Sequence, residues 1–71
     1  MKILDMSARR NENDEIVLTF RAGRITHKFV KLWDRIPKLR TERDRDCLTM
    51  RFDMEQKAAV LAIYNTLALG K

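Results

Sequence analysis

The stretch from Asp53 to Lys71 constrains this chain more than any other, because it reads as one helix with an apolar side that must be covered. Asp53 can accept a hydrogen bond from the free N–H groups of the first turn, and Gln56 can reach back to it. Glu55 puts negative charge at the positive end of the dipole, and Gly70 supplies a left-handed end. At helical spacing Met54, Val60, Leu61, Tyr64, Leu67 and Ala68 gather on one side. The other side carries Glu55, Ala59, Ala62, Asn65 and Thr66, which are small or polar. A flat apolar surface elsewhere in the chain must receive the bulky side.

A sheet is the natural candidate, and the sequence contains its strands. Residues 2–9 alternate, with Leu4, Met6 and Ala8 pointing one way. Asn11 to Asp14 is a cluster of turn formers. Glu15 to Phe20 alternates again, with Ile16, Leu18 and Phe20 on one face and Val17, Thr19 and Arg21 on the other. Cys47 to Phe52 repeats the pattern, Leu48, Met50 and Phe52 inward, Thr49 and Arg51 outward. Together these predict a small two-layer α+β domain, a three- or four-stranded antiparallel sheet covered by one C-terminal helix.

The segment from Arg24 to Ile36 reads two ways. As a helix, Ile25, Phe29, Leu32 and Ile36 form an apolar stripe beside a basic row of Arg24, Lys28, Lys31 and Arg35. As a strand it folds back over Ala22-Gly23, the glycine supplying positive φ, so that Phe20 faces Ile25 and His27 lies inward beside Leu18. Ile-Thr-His-Lys-Phe-Val is poor in strong helix formers, which favours the hairpin, with a short helical turn near residues 31–36. Pro37 ends any helix. Residues 33–46 then read as a long charged loop of nearly alternating sign.

With 71 residues there is room for a single domain, residues 1–71, and one of marginal stability. One cysteine, Cys47, and one histidine, His27, provide neither an internal disulfide nor a zinc site, and no cofactor or metal is expected. Close packing or self-association must stabilise the fold, and a homodimer is expected. The N-terminal residues lack a signal-peptide core, and no apolar run is long enough to span a bilayer. A lone thiol without an export signal points to the reducing cytoplasm, with no membrane partner.

An enzyme is not expected, because the parts are missing. Ser7 and Cys47 have no base at recognisable spacing. The carboxylates Asp44 and Asp46 are flanked by arginines, and Asp53 and Glu55 belong to a helix cap. Gly23 and Gly70 form no phosphate loop.

Charge is more informative. The net charge is +5, and residues 16–45 alone carry nine basic residues against Asp34, Glu42 and Asp44. Such a concentrated surplus favours an anionic partner. Arginine outnumbers lysine nine to six, although lysine would suffice for solubility. In the hairpin reading the outer sheet face displays Thr19, Arg21, Arg24, Thr26, Lys28, Thr49 and Arg51, with Arg9 at an edge. The loop adds Arg35, Lys38, Arg40, Arg43 and Arg45. The expected function is a non-enzymatic nucleic-acid-binding accessory or regulatory protein, with duplex DNA favoured. In the helix reading, the row Arg24, Lys28, Lys31, Arg35 replaces the sheet as the contact surface. The competing expectation is a small inhibitor or adaptor, of the kind mobile elements use, that contacts an acidic host protein. It rests on the basic surface, on the small helix side (Ala59, Ala62, Thr66), and on Trp33 as a large apolar anchor. For Trp33, anchoring the loop to its own core is the preferred role.

Overall fold

The computed structural model describes residues 1–70. Four strands, β1 (Ile3–Arg10), β2 (Glu15–Ala22), β3 (Arg40–Arg43) and β4 (Cys47–Asp53), form one sheet in the order β1-β2-β4-β3. Every neighbouring pair is antiparallel. Two helices, α1 (His27–Lys31) and α2 (Lys57–Leu69), belong to the chain as well, with a 3₁₀ turn at Met54–Gln56 leading into α2. The small α+β domain expected from the strand patterns is therefore present, with one more strand and one more helix than the firmest patterns required.

β2 and β4 are the central strands, and their inward residues Leu18, Phe20, Leu48, Met50 and Phe52 are fully buried. The turn that joins β1 to β2 is built by Asn11. Its Oδ1 accepts the backbone N–H groups of Asn13 and Glu15 at 3.0 and 2.9 Å, while its Nδ2 donates to the Glu15 carboxylate at 2.7 Å. Asp14 takes the left-handed conformation there, with φ 62°; aspartate tolerates that region better than most residues. β1 departs from simple alternation. Its register slips between Ile3 and Asp5, which makes Leu4 an extra residue, a bulge. Ile3 and Met6 consequently pack on the core, while Leu4, expected inward, is exposed.

The segment after β2 is helical, and the strand preferred for it on propensity is not formed. Thr26 caps α1, its Oγ1 accepting the Phe29 N–H at 3.2 Å. A local cap and tertiary packing thus override weak intrinsic preference. Gly23 has no positive φ, because no tight hairpin is made there. His27, placed inward by the hairpin reading, is the exposed first residue of α1.

Beyond α1 the chain tightens. The N–H groups of Leu32, Trp33, Asp34 and Ile36 donate to carbonyls three residues back, at 3.1–3.2 Å. A three-residue repeat stacks Val30, Trp33 and Ile36 on one side. Trp33 is thereby driven to the centre of the core, fully buried, with ring centroids 5.5 Å from Phe20 and 6.1 Å from Phe52. Leu32, expected in the apolar stripe, turns outward and is 46% exposed.

The long charged loop anticipated for residues 33–46 contains β3. Arg40 to Arg43 pair with Arg51 to Leu48, and all four β3 residues are exposed. A short, charged edge strand discourages pairing with other chains. α2 docks through a narrow stripe. Val60 is fully buried, and Met54, Ile63, Tyr64 and Leu67 pack around it partly covered. Asp53 caps the 3₁₀ turn through Glu55 N–H at 2.9 Å, but Gln56 makes no reciprocal bond. Gly70 is right-handed, with φ −84°, so the left-handed ending is not used. Lys71 lies outside the described residues.

Candidate functional site

The outer sheet face, expected to be basic, is electrically balanced. Register places Arg9, Arg21, Arg40 and Arg51 on it, and Asp5, Glu15, Glu42 and Asp53 beside them, four against four. Arg24, Thr26 and Lys28 are not on this face at all, because they belong to the turn and helix that replace the predicted strand. Arg40 is held by Glu42 at 3.2 Å. Val17 is buried on this face although no helix covers it, and its cross-strand neighbours are Arg9 and Arg51. Of the two, Arg51 is half-buried and directly across from Val17, where its aliphatic stem is placed to pack as well as its head to carry charge. Its Nε is buried without a hydrogen-bond partner.

The surplus lies on the helical side. Lys28 and Lys31 are exposed on α1, Arg35 is exposed in the turn that follows, and the three line one groove with Leu32 and with Ile63 of α2. Neither lysine nor Arg35 has a carboxylate within 4 Å among the described residues. The nearest acidic residue in sequence, Asp34, is turned to Lys38, 3.7 Å away. Lys38, a predicted contact residue, has a structural job: its half-buried Nζ donates to the Trp33 carbonyl at 2.6 Å. Thr26, also predicted as a contact, spends its hydroxyl on the α1 cap.

Arg24, Arg43 and Arg45 are brought together at one corner, where the β2–α1 connection meets the β3–β4 turn. The predicted binding residues thus divide into three groups. Lys28 and Arg35, with Lys31, share the groove; Arg24, Arg43 and Arg45 share the corner; Arg21, Arg40 and Arg51 lie on the neutral sheet face. Lys31 was visible in sequence as a member of the helical basic row. Ile63 carried no signal, since it reaches this groove only through the tertiary placement of α2.

Of the residues expected to meet a protein partner, Trp33 is wholly internal and anchors its own chain. Ala59, Ala62 and Thr66 are exposed on α2, and the Thr66 hydroxyl donates to the Ala62 carbonyl at 2.8 Å. No cluster of three or more potential metal-ligating side chains exists among the described residues, and no helix there is long and apolar enough to cross a membrane. No protein-family model, curated protein or solved structure matches this chain.

Proposed function

We propose that the protein is a non-enzymatic nucleic-acid-binding accessory or regulatory protein that contacts duplex DNA through the α1 side. The observation that carries the reading is the row Lys28, Lys31, Arg35: exposed, adjacent, and without a carboxylate in reach. Ammonium and guanidinium groups left unneutralised by the protein are available to phosphate oxygens, and their binding releases condensed counterions.

If about six phosphates are neutralised, affinity falls roughly 1,000-fold between 50 and 200 mM salt. The test is fluorescence anisotropy with a labelled duplex across that range. Lys28→Glu/Lys31→Glu should weaken binding by at least 10-fold at 50 mM salt with the circular dichroism spectrum unchanged, since both residues are exposed. Flat salt dependence, or no binding at low salt, would reject the reading.

One observation favours the second reading, an adaptor for an acidic protein. Leu32 stands exposed within the basic row, with Ile63 beside it, and duplex phosphates have no use for that apolar floor. A protein partner predicts a stoichiometric, comparatively salt-tolerant complex that survives nuclease treatment and is lost in Leu32→Asn.

A further inference from the structure

The arginine corner differs from the α1 row in that the backbone around it is tied together and one of its side chains, Arg43, is held in place. The Ile25 N–H donates to the Arg45 carbonyl at 2.9 Å, and the Ala22 N–H to the Asp46 carbonyl at 3.0 Å, so two connections far apart in sequence are stitched together. Arg43 Nη2 donates to the Ile25 carbonyl at 3.1 Å, which leaves the rest of its guanidinium donors to point elsewhere. Arg24, Arg43 and Arg45 line the same recess, with Ile25 and Asp44 completing it. None of the three arginines has a carboxylate within 4 Å among the described residues. Asp44 is turned inward on its own turn, its Oδ1 accepting the Arg45 N–H at 3.1 Å.

Three like charges in one recess repel one another until an anion joins them. We propose that this corner is a phosphate-binding site, with Arg43 as the fixed fork and Arg24 and Arg45 as the flanking clamps. A tetrahedral phosphate offers enough acceptor oxygens for three guanidiniums, whereas a carboxylate is satisfied by one. Three arginines against Asp44 leave a surplus of two, which a terminal phosphomonoester, close to dianionic at neutral pH, cancels and a singly charged backbone phosphodiester halves. The phosphate can belong to a nucleic-acid backbone or to a terminal monoester. In supplying such a contact the site rests on the DNA reading above, but its own chemistry is independent of the α1 row.

The experiment is a titration with inorganic phosphate at constant ionic strength, read by the backbone amide resonances of Ile25 and Arg45. A saturable shift confined to this corner, competed by sulfate and not by chloride, is the expected result. Arg43→Lys keeps the charge but loses the fork, and should weaken phosphate by about 5- to 10-fold. Arg24→Lys, at an exposed position with no hydrogen bond to lose, should weaken it in the same direction. Asp44→Asn should tighten it by about threefold by removing the opposing charge. A linear, unsaturable response shared equally by Lys28 and Lys31 would overturn the site, as would Arg43→Lys and Asp44→Asn variants that titrate like the parent. Duplexes with and without a 5′-phosphate then separate the sources: equal affinity assigns the backbone, and a preference for the phosphorylated end assigns a monoester. Phosphate binding without duplex binding overturns only the DNA reading. Duplex binding that persists through Lys28, Lys31 and Arg35 without saturable phosphate binding overturns only the corner.

Discussion

At the scale of single residues, Trp33 and Leu32 define what the sequence conveyed and what it withheld. The spacing of Ile25, Phe29, Leu32 and Ile36 describes an ordinary helix, and three of those four residues are indeed buried. The fourth is not, because the hydrogen bonds after Lys31 reach back three residues instead of four. That change of pitch is decided by tertiary demand, since only the tighter turn delivers the indole to Phe20, Phe29 and Phe52. Two neighbouring substitutions should therefore differ sharply. Trp33→Ala removes the hub of the core and should cost about 3–5 kcal/mol, enough to unfold a domain of this size. Leu32→Asn, on the exposed side, should stay within about 0.5 kcal/mol of the parent. Urea denaturation followed by circular dichroism compares them, and equal costs would mean that the turn does not set the phase. Trp33→Phe should be tolerated far better than Trp33→Ala. The indole Nε1 has no hydrogen-bond partner in its buried site, so part of the packing lost is offset by removing that orphan donor.

At the scale of elements, the strands with strict alternation, β2 and β4, were legible because both are central and one face of each is buried. β1 was legible in existence and, from Met6 onward, in phase; only Leu4 is misplaced, since a bulge there leaves no mark that alternation can reveal. β3 was hidden in a run of charges. An edge strand that buries no side chain has no reason to alternate in hydrophobicity. α1 was missed as the preferred reading because five residues are too few for propensity to decide, and its stability comes from the Thr26 cap and from Phe29 beneath it. Thr26→Ala should cost about 1 kcal/mol and speed hydrogen exchange at the Phe29 amide, with β2 unaffected. α2 depends on one fully buried contact. Val60→Ala should lower stability by about 2 kcal/mol, and Val60→Asp should abolish folding. An unaltered midpoint for Val60→Ala would mean that the partly covered residues around it hold the helix alone.

At the scale of the whole molecule, the antiparallel topology sorts charge towards opposite ends of the sheet. The end formed by the β1–β2 turn and the 3₁₀ turn carries Glu12, Asp14, Glu15, Asp53 and Glu55 against Arg10, Arg40 and Lys57. The other carries Arg21, Arg24, Arg43 and Arg45 against Asp44 and Asp46, with Lys28 following on α1. The longest dimension is 30 Å, whereas the screening length is about 8 Å at physiological ionic strength. A contact should thus depend on local groups and hardly at all on net charge. Glu12→Lys/Glu55→Lys raises the net charge from +5 to +9, yet should alter duplex affinity at 150 mM salt less than Lys28→Glu/Lys31→Glu, which lowers it to +1. Matching effects of opposite sign would show that the whole field, and no particular surface, attracts the anion. The basic surplus was legible in sequence, but its location was not, because choosing helix over strand for the segment after Gly23 moves it from one side of the molecule to the other. One further consequence follows from a single indole lying where sheet and helices meet. Its ultraviolet emission is a built-in gauge of packing: blue while the rings enclose it, red once solvent enters. Ligands held at the rim should leave that colour untouched, so a variant that has lost its grip can be told at a glance from one that has come apart.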